Sequence, residues 1–274
     1  MKIRIPWRIK QAAKILLAPV GGKATSPTPS STTGQSCPVC AKVDATFAPL
    51  PSYYFEMHEK HGYIHSIFLS ETMNRGQYSC KNCGAADRDR LSALYFRDYL
   101  RQGGELRDIL DIAPCKPLTD FLKRAGAVNY RSADLMAPMA VDDRVDIQNM
   151  PEYGEGQFQI FICSHVLEHV TDDLAAMREL YRVLAPGGWG ICMAPINLGL
   201  SEIYENLQIV DEAGRWRHFG QFDHVRLYSK DGFVSRLTSA GFRVEQHGIS
   251  HFGEDALRMH AIHPRSVLYV VHKD

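Results

Sequence analysis

Residues 108–117 read Asp-Ile-Leu-Asp-Ile-Ala-Pro-Cys-Lys-Pro, an apolar run that carries an acid and breaks into a turn. A helix-like segment follows at 118–125. Strand, tight turn and helix N-terminus in this order form the phosphate- or nucleoside-binding corner of doubly wound α/β folds. From there the pattern keeps alternating. Strands are expected at 109–112, 130–133, 144–147, 158–164, 189–194, 242–246 and 267–272, with helices at 118–125, 172–184 and 230–240. Such alternation implies a mainly parallel sheet. The last two strands are joined by 247–265, which shows no clear crossover helix, so the final strand is expected to run antiparallel.

Upstream, the chain has a different character. Residues 1–20 hold Lys2, Arg4, Arg8, Lys10 and Lys14 and no acid, with apolar residues that can share one helical face. They read as a leader with at most weak peripheral contact to an anionic membrane surface. Residues 21–36, rich in Gly, Ser, Thr and Pro, read as a disordered linker. No apolar run approaches the roughly 20 residues of a membrane-spanning helix. The leader lacks a convincing cleavage site, so a cytoplasmic protein is expected, with any membrane contact at the inner face.

Seven cysteines are present, and four fall as Cys37/Cys40 and Cys80/Cys83. Two Cys-x-x-Cys knuckles bring four thiolates onto one tetrahedral zinc ion, a closed and therefore structural site. A zinc-ribbon-like module is expected over 37–86, with strand-like aromatic pieces at 53–55 and 63–69. His58, His61 and His65 are expected to be exposed or locally packed. A connecting helix over 87–104 leads to the α/β domain at 105–274; Arg88 and Arg90 could bind an anionic substrate, but a salt-bridged helix surface is the favoured expectation.

In such a sheet, ligands bind outside the carboxyl ends of the strands. Asp111 and the turn residues Ala113, Pro114 and Cys115 follow the first strand. Asp134, with Leu135 beside it, ends the second, where an acid can accept both ribose hydroxyls. Asp146 and Ile147 end the third and can grip an adenine edge. Ser164 and His165 follow the fourth.

The runs Ile-Phe-Ile-Cys-Ser-His-Val-Leu-Glu-His-Val at 160–170 and Met-Arg-Glu-Leu-Tyr-Arg-Val-Leu-Ala-Pro-Gly-Gly at 177–188 carry a resemblance. Over 108–246 the chain resembles class I S-adenosylmethionine-dependent methyltransferases of the type 11 methyltransferase-domain family. The resemblance implies a Rossmann-like seven-stranded sheet with its last strand antiparallel. It places Asp111 and the 113–117 turn near the methionine moiety, Asp134 on the ribose and Asp146/Ile147 by the adenine. The chain departs from the family pattern at Ala113, Cys115 and Pro117, where glycines would stand. The flanking Cys-Pro-Val-Cys, the Cys-Gly-Ala-Ala-Asp-Arg-Asp-Arg-Leu run at 83–91 and the 219–228 run look like a bacterial subgroup.

The implied chemistry is in-line transfer of a sulfonium methyl group, accelerated by positioning and desolvation. For a hydroxyl acceptor a base helps, and His165, His169 and His224 are candidates, with Asp223 as an orienting partner. Glu168-His169 has a structural alternative as a helix-start turn. For 223–226, a lid over the substrate competes with a buried ion-pair cluster. Formal net charge is zero, which favours a small-molecule, glycan-type or lipid-linked acceptor. Zinc-ribbon recognition of RNA is the first alternative, although neither 1–20 nor 37–84 has the dense basic and aromatic mix RNA binding needs. A catalytically inactive scaffold, suggested by the missing glycines, is the second.

Overall fold

The computed structural model describes residues 34–136 and 140–274. The leader and most of the linker expected over 1–36 lie outside the described residues. In chain order, β1 (Phe47–Ala48), α1 (Ser52–His61), a 3₁₀ turn (Ile67–Leu69) and β2 (Ser79–Cys80) precede the long helix α2 (Asp87–Arg101). The α/β order then begins: β3 (Arg107–Ile112), α3 (Lys116–Arg124), β4 (Val128–Ala133), β5 (Phe158–Ser164), α4 (Asp173–Val183) and β6 (Leu184–Met193). After β7 (Tyr204–Glu205), α5 (Glu212–Phe219) and β8 (Arg226–Leu227) come α6 (Lys230–Ser239), β9 (Arg243–His247), α7 (Ile249–Phe252), α8 (Glu254–Met259) and β10 (Leu268–His272).

The main sheet has the order β4-β3-β5-β6-β10-β9. Strands β3 to β6 pair in parallel, and β10 runs antiparallel to both of its neighbours. The centre of this mixed sheet is covered on both faces, which is why Ile160 to Cys163 form an unbroken buried run. Packing there is tight at Gly190, where a Cβ would meet the Phe161 ring at 2.4 Å. Helix α2 lays Tyr95 and Tyr99 against Trp189, with ring centroids 5.2 and 5.0 Å apart.

The sheet has six strands among the described residues, one fewer than the seven expected. The missing one is 144–147. Its neighbour Asp142 accepts hydrogen bonds from Ser132 N (2.8 Å) and Ser132 Oγ (2.7 Å). A side chain thus takes a donor that a strand ladder on β4 would need, and only a single bridge, Ala133 to Asp143, remains.

Three further differences matter. The aromatic piece at 53–55 is helical, because Pro51 opens a helix and Gly62, at φ 60°, closes it. The 247–265 connection holds two short helices, α7 and α8. Arg88 and Arg90 do not form a salt-bridged surface. Arg90 is fully buried and donates to the carbonyls of Gln77, Tyr78, Ala85, His260 and Ala261 at 2.7–3.0 Å. One guanidinium thereby ties the cysteine segment to the C-terminal helices.

The segment between the cysteine pairs also packs on the sheet side of the molecule. Ile64 N donates to Arg217 O, Ser70 bridges Asn197, and Thr72 Oγ1 donates to Val267 O at 3.2 Å.

Candidate functional site

A cavity of about 470 Å³ opens just beyond the carboxyl ends of the four parallel strands. Its floor comes from the residue that follows each strand or lies close to it: Ala113 and Pro114 after β3, Asp134 after β4, Ser164 and His165 at the end of β5, and Pro195 to Asn197 after β6. This is where a doubly wound sheet places its ligand, because the turns there leave backbone groups and side chains uncovered.

Of the cofactor candidates, Ala113, Pro114, Asp134, Ser164 and His165 line the cavity. Asp111, Cys115, Leu135, Asp146 and Ile147 lie outside its lining. Asp111 is buried and accepts a 2.6 Å hydrogen bond from Tyr130 Oη; burial nevertheless pushes its carboxyl up to about 7. Asp146 accepts from Gln148 N at 2.9 Å and so closes its own turn, and Ile147 is packed in the core. Cys115 is the residue that opens α3.

Ala113 carries the mark of the altered turn. Its φ is 52°, the left-handed region that glycine adopts without cost, and its N–H donates to Ala133 O at 2.7 Å. His165 is also left-handed, at φ 59°, with its N–H on Met193 O at 2.8 Å. Such outliers persist where surrounding structure over-determines the backbone, and both sit on the cavity floor.

All four catalytic candidates, His165, His169, Asp223 and His224, line this cavity, and the three histidines meet around Glu168. His165 Nδ1 is 3.3 Å from Glu168 Oε1, and His169 Nε2 and His224 Nε2 lie 3.7 and 3.9 Å from the same oxygen. His169 Nδ1 is 3.4 Å from Asp223 Oδ2. Burial pushes His165 down from its ordinary value and His224 down to about 3. Burial alone would raise the Glu168 carboxyl, and the three nearby histidine rings shift it the other way, below its ordinary range.

The 223–226 run divides between the two expectations. Asp223 and His224 face the cavity, whereas Arg226 is buried in an ion-pair cluster with Asp173, Glu205 and Arg236. Arg226 also donates to the carbonyls of Leu167, Val170 and Thr171. It therefore clamps the turn that carries Glu168 and His169.

The far wall is aromatic. Tyr53, Tyr54, Tyr63 and Tyr78 come from the segment between the cysteine pairs, and Trp216, Phe219 and Phe222 from α5 and the loop after it. Arg88, donating to Tyr78 Oη at 2.8 Å, is the one Lys or Arg of the lining among the described residues. Sequence reasoning missed this wall and the central place of Glu168. The only signal was aromatic density at 53–63 and 216–222. His58 lines the same wall and pairs with Gly220 O at 2.9 Å, and His61 stacks on Trp216.

Away from the cavity, Cys37, Cys40, Cys80 and Cys83 bring their sulfur atoms within 4.8 Å of one another. Cys37 Sγ and Cys83 Sγ are 3.8 Å apart, the edge of a tetrahedron built from metal–sulfur bonds of about 2.3 Å. The Cys83 thiol beside it pulls the Cys37 thiol well below its ordinary range. Residues of this kind and spacing fit a zinc ion.

A family model described as a methyltransferase domain matches residues 93–247. A curated relative, the mitochondrial 2-methoxy-6-polyprenyl-1,4-benzoquinol methylase of Xenopus laevis, is 26% identical over 118 residues. That match covers 38% of this chain, and the chain spans only 38% of the relative. Among solved structures, the chain is similar to a SAM-dependent methyltransferase from Archaeoglobus fulgidus, with TM-score 0.44 and 14% identity, covering 80% of this chain and 99% of that one. It is also similar to phosphoethanolamine N-methyltransferase 2 of Haemonchus contortus in complex with S-adenosyl-L-methionine, with TM-score 0.40 and 12% identity, covering 65% and 51%.

Proposed function

The chain belongs to the methyltransferase-domain family, and from that membership we propose that it uses S-adenosylmethionine to methylate a small planar acceptor in the cavity above the sheet. The observation that carries this reading is the polarity of that cavity. Asp134 stands at one strand end, and the His165, Glu168, His169 and His224 cluster at another, under an aromatic wall.

Asp134 would accept the ribose hydroxyls, and the left-handed Ala113 would bring the backbone of the turn close to the methionine end. The bound cofactor supplies an electrophilic methyl group. The chain supplies position and dryness. Tyr53, Tyr54, Trp216 and Phe222 offer flat apolar faces to a ring. The Xenopus relative is named for a benzoquinol, and a planar, hydroxylated acceptor of that type suits such a wall. With Arg88 as the one Lys or Arg of the lining among the described residues, the described cavity offers little positive charge to a polyanion such as RNA. The four cysteines hold a structural zinc ion in this reading, with no position left open for chemistry.

The test is calorimetric titration with S-adenosylmethionine and S-adenosylhomocysteine. Both are expected to bind, and Asp134→Ala to weaken both at least about tenfold, the loss of one charge-assisted contact. Folded protein that binds neither would overturn the reading in favour of an inactive scaffold.

A further inference from the structure

The polar cluster in the cavity is incomplete as it stands. Glu168 is fully buried, and neither of its carboxylate oxygens receives a hydrogen bond. His165 Nδ1 approaches Oε1 to 3.3 Å without completing one. Both ring nitrogens of His224, itself 2% exposed, also lack a partner. A buried carboxylate and a buried imidazole left this way are costly to desolvate, and buried polar groups of this kind ordinarily have a partner.

We propose that Glu168, His169 and His224 bind one divalent transition-metal ion whose open positions face the cavity. One ligand atom from each of the three lies within 4.8 Å of the others. The two imidazole Nε2 atoms stand 3.7 and 3.9 Å from Glu168 Oε1. Metal bonds of about 2.0–2.2 Å require ligand separations of roughly 3.0–3.6 Å, so each of these two nitrogen–oxygen pairs closes to that range with a shift of a few tenths of an ångström.

The support around the ligands is what such a site needs. Asp223 lies against Nδ1 of His169 and so turns Nε2 toward Glu168, the carboxylate–histidine arrangement that orients a metal ligand. Val225 N donates to Glu168 O at 2.9 Å, which holds the two ligand-bearing segments side by side. Arg226 clamps the 167–171 turn by its carbonyls. Two imidazoles and one carboxylate select zinc, iron(II), manganese or cobalt over magnesium and calcium, which prefer all-oxygen cages. The open positions then take an oxygen donor of the acceptor. This acceptor class rests on the methyl-transfer reading, whereas the metal site does not.

The experiment is titration of the chelator-stripped full chain with cobalt(II), followed by visible absorption and metal analysis. Two equivalents are expected. One shows intense thiolate-to-cobalt absorption and is lost in Cys80→Ser. The other shows weak ligand-field bands without thiolate character and is lost in Glu168→Gln and in His224→Ala, with the thiolate signal kept. A wild-type chain that takes up no nitrogen- and oxygen-ligated cobalt overturns the proposal, whether or not the variants fold. So does a second equivalent that survives both substitutions. S-adenosylhomocysteine titration of the same samples reads the cofactor site separately, so loss of one reading leaves the other standing.

Discussion

The Tyr269 hydroxyl donates a 2.7 Å hydrogen bond to Glu71 Oε2, joining the last strand of the sheet to the segment between the two cysteine pairs. Glu71 is 2% exposed, and Lys230 Nζ at 3.4 Å supplies the opposite charge. Tyr269→Phe strips a buried carboxylate of its neutral donor. A loss of about 1–3 kcal/mol is expected in urea unfolding. An unchanged midpoint would mean that Lys230 alone satisfies Glu71.

Ala113 occupies a backbone conformation at φ 52° that favours glycine. The left-handed region costs a side chain with Cβ roughly 1–2 kcal/mol, partly offset by the larger chain entropy glycine loses on folding. Ala113→Gly is expected to raise Tm by about 2–3 °C. In calorimetry it should bind S-adenosylhomocysteine at least as tightly as the wild type, since a Cβ leaves the cavity floor. A lower Tm would show that the turn is held by its Cβ contacts instead.

Asp111 makes stability depend on pH in a defined direction. Burial raises its folded-state carboxyl to about 7 from an ordinary value of 3.8. The native state therefore keeps a proton that the unfolded chain has released between those values. Its contribution is fully present below about pH 4 and is lost as pH rises toward 7 and above. The stability of Asp111→Asn relative to wild type should accordingly increase by on the order of 3 kcal/mol between pH 4 and pH 8. Parallel pH profiles for the two proteins would contradict this.

The four-cysteine site anchors both ends of the segment that supplies Tyr53, Tyr54, Tyr63 and Tyr78 to the cavity wall. Cys83→Ser is expected to lower zinc content by one equivalent and to open 41–79 to limited proteolysis, because a structural zinc contributes directly to folding. Cofactor or acceptor affinity should fall with it. Protease resistance without zinc would show that Arg90 and its carbonyl partners hold the segment alone.

Much of the α/β region was legible in the sequence because its signals are local. The β5 strand at 158–164 and helix α2 at 87–101 follow from an uninterrupted apolar run and from apolar spacing ended by Gly103. The two Cys-x-x-Cys pairs announced their convergence by spacing alone. Position after a strand likewise marked Ala113, Asp134 and His165 as residues of one sheet edge.

What only the tertiary structure decided lies in partners distant along the chain. Residues 144–147 have a strand-like pattern, yet Asp142 takes the β4 donor a seventh strand would need. Tyr53 to Phe55 read as strand and fold as helix, because Pro51 and Gly62 bound them and Trp216 of α5 receives the Tyr53 ring. Arg90 reads as surface charge and is buried, because five carbonyl oxygens surround it. The gathering of His165, His169 and His224 around the Glu168 carboxylate needed the 165–171 turn and the 223–226 run to meet. Periodicity and spacing describe what a segment can do by itself, whereas burial and hydrogen-bond satisfaction are set by whatever the fold brings alongside it.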